Sequence, residues 1–278
     1  MSLTRFSWQR LGYGVLAISC SLAIAGCAMV ETTGGGSVGI DRKQYMSSLV
    51  SEQELNQTAL RQYSSMMQKA QSQGVLDRDS AQARRVKTIT QRLVNQVGTF
   101  RPDAVGWAWE VNVIQQDEVN AWCMPGGKMA VYTGLINQLQ PSDDELAAVI
   151  GHEIAHALRE HSREQVSQQM ATGLGVSVLA AITGSQATAD LGTQLSNVMF
   201  TLPNSRTHEL EADRIGVELA ARAGYDPRAA VSLWQKMGQL GGSRPPELLS
   251  THPSPQSRMS DIRQAAERVM PLYQQNKR

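Results

Sequence analysis

His152 and His156 stand four residues apart, with Glu153 beside the first of them, in the run His152-Glu153-Ile154-Ala155-His156. On a helix this spacing puts both imidazoles on one face, one turn apart, so that both reach one metal ion. Glu153 is left over as a base for water on that metal. This is the pattern of a hydrolytic zinc site. It is incomplete as it stands, because zinc takes at least a third protein ligand and, for catalysis, keeps a position for water.

The third ligand has to come from elsewhere. A metzincin would carry a glycine and a third histidine within the next turn and a half; Arg159 and Ser162 stand there instead. His161 falls some 140° round a continued helix from His156, which suggests a surface residue or a support behind a ligand. A better source is Ser205-Arg206-Thr207-His208-Glu209-Leu210-Glu211-Ala212-Asp213. Here Glu209 could bind the metal, and Asp213, one turn on, could accept the free N–H of a histidine ligand. Glu211 is turned about 200° from Glu209, so the two cannot bind together.

The helix with HEIAH, the later SRTHELEAD, the still later HPSPQSR and the preceding NAWCMPGGKMAVYTGL together resemble one family. It is the CAAX-prenyl-protease and Oma-type group of zinc metallopeptidases, in its periplasmic lipoprotein branch. The resemblance covers roughly residues 80–270. It implies one Zn2+ per chain held by His152, His156 and Glu209, with Glu153 as catalytic base and Asp213 supporting a ligand from behind. It also brings the segment His252-Pro253 with Arg258 to the cleft. There His252 could stabilise the oxyanion, or it could fill the open zinc position in a resting state; a plain loop histidine is the remaining reading. The implied fold is α+β, mostly helical and minigluzincin-like, with a small β-sheet beside the active-site helix. Cys123 departs from the small or aromatic residue expected at its position.

The elements that must position these residues are partly legible. Residues 42–73 carry Tyr45, Leu49, Leu55, Ala59, Tyr63 and Met66 at helical intervals, with Gly74 as a stop. A second helix from about Asp79 to Gly98 presents Val86, Ile89, Leu93 and Val97. Trp107 to Ile114 alternates as a strand. Gly126-Gly127 followed by Lys128 to Thr133 suggests a hairpin whose second strand lies at a sheet edge. An open edge at Gly127, Lys128, Met129, Ala130 and Val131 would hold an extended substrate by its main chain; a plain structural hairpin is the alternative. Ser142 and Glu145 have capping-box spacing and start the helix that carries HEIAH. Residues 170–183 are strongly apolar but too few to span a bilayer, and 184–200 could cover the cleft. Asp226-Pro227 and Ser254-Pro255 read as further helix starts, with Trp234, Met237, Ile262 and Val269 turned inward.

The first residues carry an address. Arg5 and Arg10 precede an apolar run from Leu11 to Ala25, which ends in Ile24-Ala25-Gly26-Cys27. This resembles a bacterial lipoprotein signal over residues 1–26, with Cys27 as the lipidated residue; an uncleaved anchor or a plain signal cut elsewhere are the alternatives. Ala28 after the cysteine implies sorting to the periplasmic side of the outer membrane. Residues 27–41 read as a flexible tether and 42–278 as the peptidase domain. Cys123 then has no disulfide partner and reads as a small buried residue. The formal net charge of +1 in 278 residues offers no basic field for nucleic acid.

These readings make the chain an envelope endopeptidase acting on misfolded or unassembled polypeptides. The competing function is an assembly factor for outer-membrane proteins that works with the assembly machinery and whose protease site is latent. A purely structural zinc site is weaker, because it gives Glu153 no task.

Overall fold

A computed structural model of the chain describes residues 27–171, 187–240, 246–252 and 256–277. The signal-like residues 1–26 and most of the apolar stretch 170–183 lie outside these, as do Gly241, Gly242, Pro245 and Pro253 to Pro255.

The chain enters as a two-stranded hairpin, β1 (Cys27–Val30) against β2 (Gln44–Ser47), antiparallel. Helix α1 (Glu52–Ser72) follows, with Ser51 accepting from the Glu54 amide at its start. The helix expected from residue 42 therefore begins ten residues later. Residues 44–47 spend their backbone groups on β1, and the Ser51 cap fixes where helical bonding starts.

The expected flexible tether is corrected as well. Residues 28–40 are laid onto the body: Val38 and Ile40 are buried in the main core. The Val38 amide donates to Glu218 Oε2 at 2.9 Å, and the Gly34 amide donates to the Phe100 carbonyl at 2.7 Å. Arg42 closes the segment by pairing with two buried carboxylates, Glu164 and Glu211, each at 2.6 Å. Glu164 is buried, which by itself would raise its pKa. Hydrogen bonds from Arg42, His208 and Gln44 outweigh that and hold it below the usual carboxylate range. A depressed carboxylate contributes stability that is complete above its unfolded pKa of about 4.3 and is lost as pH falls through the folded value. Arg42→Gln is accordingly expected to lower stability by about 2 kcal/mol near neutrality, less than a fully buried pair because Arg42 is 30 % exposed. The difference from wild type should shrink below about pH 4. Urea midpoints from pH 7 to pH 3 measure both; a difference that does not change with pH would assign the effect to packing instead.

A four-stranded sheet flanks the core in the order β3 (Leu76–Asp77), β4 (Glu110–Ile114), β6 (Lys128–Tyr132), β5 (Ala121–Met124). Strand β6 runs parallel to β4, Glu110 facing Lys128 through Ile114 facing Tyr132, and antiparallel to β5. Both sides of β6 are thus hydrogen-bonded, and Lys128 to Tyr132 are all buried. The placement of Gly127, Lys128, Met129, Ala130 and Val131 at a substrate-holding edge is corrected by this topology: β6 is an inner strand, and β5 is the edge beside it. Gly126 and Gly127, both at positive φ, make the turn between β5 and β6.

Helix α2 (Ala81–Val94) lies under the sheet, and Val97 follows in a short 3-10 turn rather than in the helix. After α3 (Thr133–Leu139) comes α4 (Asp143–Leu158), which runs through the middle of the domain with nearly every residue buried. Its start is the expected capping box: Ser142 accepts from the Glu145 amide, and the Glu145 carboxylate accepts from the Ser142 amide. Helices α5 (His161–Ala171), α6 (Ala187–Phe200), α7 (Arg206–Arg222), α8 (Ala229–Gln239), α9 (Glu247–Thr251) and α10 (Gln256–Asn276) complete the chain. Helix α4 packs on α7, α8, α2 and β5. Helix α8 starts two residues later than its Asp226-Pro227 signal, because Asp226 Oδ1 accepts from the Arg228 amide in a turn ahead of it. Trp234, Met237, Ile262 and Val269 are buried as expected. Among the described residues no helix is long and apolar enough to cross a membrane.

Candidate metal centre

All five histidines of the chain converge on one place, buried between α4, α5, α7 and the end of α9. His152 and His156 project from one face of α4, as their spacing requires. Helix α7 crosses α4 at two glycines. A Cβ on Gly216 would lie 2.7 Å from the His152 amide nitrogen, and one on Gly151 would lie 2.9 Å from the Gly216 carbonyl oxygen. This close crossing presents Glu209, in the first turn of α7, to both histidines. Ser205 caps that helix by accepting from the His208 amide.

His152 Nε2 is 3.1 Å from His156 Nε2 and 3.2 Å from His252 Nδ1. Glu209 Oε1 is 2.9 Å from His252 Nδ1 and 3.4 Å from His156 Nε2. Bonds of about 2.0–2.1 Å in a tetrahedron set neighbouring donors about 3.3–3.4 Å apart, so these four residues fit zinc. The electrostatics agree. Burial would depress His152, but Asp213 and Glu209 outweigh it and push its pKa up to about 9. Burial pushes its neighbour His156 down to about 3. Glu209 and Asp213 thus set negative charge about the two histidines, which favours a cation there. Burial also opposes ionisation of Glu209, yet His252, His152 and His156 hold it well below the usual range.

Each α4 histidine is held from behind. His152 Nδ1 meets Asp213 Oδ1 at 3.0 Å, and Asp213 is itself gripped by Arg258 at 2.7 and 2.8 Å. Arg258 stacks on Trp234, whose ring stands edge-on to His152. His156 Nδ1 meets His161 Nδ1 at 2.9 Å. Of the two places open to His161, the structure shows the buried one: α4 stops at Leu158, Glu160 turns the chain at φ 49°, and His161 begins α5 facing back. Glu211 faces away from the metal position, as its helical angle requires, toward His161 and Arg159.

Glu153 is fully buried, and burial raises its pKa above the usual carboxylate range. Its Oε1 has no hydrogen-bond partner among the described residues and lies 3.6 Å from His252 Nε2. It opens on a cleft of about 330 Å3. The walls of that cleft are edge strand β5 at Ala121, Trp122 and Cys123, and the α6 residues Val198, Met199 and Phe200. Cys123 is buried with its thiol pushed up by burial, in keeping with a small apolar role.

His161 takes the second of its two expected places, behind a ligand, whereas nothing in the sequence marks His208 and Arg42 as part of this centre. For His208 the one signal is composition, since the chain has five histidines in all.

Residues 80–266 match peptidase family M48. The chain is 41 % identical over 172 residues to the mitochondrial metalloendopeptidase OMA1 of Arabidopsis thaliana, covering 61 % of this chain and 34 % of that protein. It is 32 % identical over 205 residues to the beta-barrel assembly-enhancing protease of Escherichia coli (strain K12), covering 69 % of this chain and 40 % of the other. The matched stretches thus span well under half of these relatives.

Proposed function

Because this chain belongs to peptidase family M48, we propose that it is a zinc-dependent endopeptidase of the bacterial cell envelope, acting on misfolded or unassembled polypeptides. The observation that carries the reading is the set of four donors at zinc-like separations beside a buried, unpartnered Glu153 oxygen. His152, His156 and Glu209 hold the ion, and Asp213 orients His152. Zinc, when bound, supplies a Lewis acid that polarises water and the scissile carbonyl. Glu153 takes the proton of the attacking water at Oε1 and returns it to the leaving amine nitrogen. Its burial favours the protonated form and so suits it to holding that proton between the two steps.

Edge strand β5, which lines the cleft, is the surface for substrate. Its main-chain groups pair with an extended peptide regardless of sequence, which suits unfolded clients. The envelope address rests on the sequence alone, on Arg5, Arg10, the apolar run and Cys27 as lipid attachment. A second reading, assembly factor with a latent site, draws on the name of the Escherichia coli relative.

It also draws on His252. A catalytic zinc site keeps a position open, whereas four protein donors close it. The position of His252 Nδ1 favours the resting-state version of its role over an oxyanion donor. His252→Ala is then expected to raise turnover. For a site open about 10 % of the time the rise is about tenfold. A fall in turnover would return His252 to the oxyanion role, and no change would remove both.

Casein cleavage by the purified full chain, with zinc measured on the same sample, tests the whole reading. One zinc and cutting, in wild type or in His252→Ala, supports the peptidase. One zinc with neither protein cutting turns to the assembly factor, and a folded protein that takes up no zinc overturns both.

A further inference from the structure

Two of the five buried histidines, His161 and His208, do not face the metal position. Burying an imidazole is unfavourable unless its nitrogens are paired, and for His161 both are. The pairing admits one assignment. As a zinc ligand His156 turns its Nε2 lone pair to the metal position, so its proton is on Nδ1. That proton is donated to His161 Nδ1, 2.9 Å away. His161 must then carry its own proton on Nε2, which it donates to Glu211 Oε2 at 3.0 Å. A carboxylate only accepts, so the direction cannot reverse. Glu211 is fixed in turn by Arg42 at 2.6 and 3.0 Å and by Arg159 at 3.1 Å. His208 lies flat on His161, ring centroids 4.3 Å apart and 11° from parallel, and keeps the ring in this plane.

We propose that His161 and Glu211 are positioning residues for zinc: an imidazole relay that fixes the tautomer and ring orientation of His156, as Asp213 does for His152. The inference rests on the zinc reading above. The two α4 ligands are unequally supported, His152 by a carboxylate directly and His156 by a carboxylate through one imidazole. The relay ends on Arg42, in the segment that joins the body to Cys27.

Zinc affinity of the full chain, read by competition with a chromophoric chelator, tests this without any turnover. His161→Leu removes the acceptor and is expected to weaken zinc by about 10- to 100-fold, the range for lost support behind a ligand. His161→Asn puts an acceptor oxygen near the Nδ1 position and should recover affinity to within about threefold of wild type. His161→Gln, whose polar end falls nearer Nε2, should not. The d–d spectrum of the cobalt-loaded protein should shift in the leucine variant and return in the asparagine one. If the leucine variant fails to fold, Glu211→Gln carries the test, with about tenfold weaker zinc expected. Wild-type affinity in the leucine variant, or equal losses in leucine and asparagine, overturns the relay and leaves the zinc reading standing. No zinc uptake by wild type overturns both.

Discussion

Glu153→Gln is expected to lower casein cleavage by about 10³-fold or more, while one zinc remains bound. General acid–base catalysis by one side chain is typically worth about 10²–10⁴-fold. In the proposed mechanism one carboxylate serves two proton transfers, so the upper part of that range applies. The substitution keeps the shape of the side chain and replaces none of the four donors at the centre. It removes a group that is fully buried, raised in pKa and unpartnered at Oε1. A buried ionisable group of that kind is a burden on folding, so the variant should melt at or slightly above the wild-type temperature. Three measurements on one preparation separate the possibilities. Lost cleavage with unchanged zinc and unchanged melting assigns Glu153 to the chemistry. Lost zinc would make it a ligand. Cleavage within tenfold of wild type would move the base to another residue, and His252 Nε2, 3.6 Å away, is a group able to take it.

What could be read from the sequence follows from how local each feature is. The α4 pair needs only helical spacing, and Ser142 and Glu145 state where that helix begins. Glu209 and Asp213 are one turn apart on α7, so their roles relative to each other were legible; that they meet α4 was carried by resemblance. The features missed are those that depend on which segment lies beside which. Lys128 to Tyr132 alternates like any strand, and nothing local says that Glu110–Ile114 returns in parallel along one side of it while Ala121–Met124 takes the other. Residues 28–40 are rich in glycine and threonine, which reads as a linker. Yet Val38 and Arg42 each find a buried counterpart more than a hundred residues away, and Ile40 is buried in the main core. His161 was placed by continuing a helix that in fact ends three residues earlier. Glu160, in the left-handed region without being a glycine, gives no sequence warning of that turn.

The close crossing of α4 and α7 leads to the second large effect. Gly216→Ala is expected to cost about 3 kcal/mol and to weaken zinc by at least about tenfold. The added methyl would stand 2.7 Å from the His152 amide nitrogen and 3.0 Å from its Cα. Both are backbone atoms in the middle of a helix, so relief comes only from moving one helix against the other. That motion separates His152 from Glu209 and from Asp213, since the histidine rides on α4 and both carboxylates on α7. Loss of affinity and loss of stability therefore arise from one displacement, which sets this variant apart from a ligand substitution that removes zinc and leaves the zinc-free fold intact. Gly238→Ala is the matched control: it lies inside α8, a Cβ there meets nothing within 4 Å among the described residues, and the usual helix preference predicts a gain of about 0.5–1 kcal/mol. Thermal melts of the zinc-free proteins and chelator competition on the same samples read both quantities. If Gly216→Ala melts within 1 kcal/mol of wild type by the ~1 kcal/mol scale of an ordinary helix substitution and holds zinc as tightly, the helix crossing does not set the metal geometry. The rigidity of the centre would then have to come from the Arg258–Asp213 grip and the His161 relay alone.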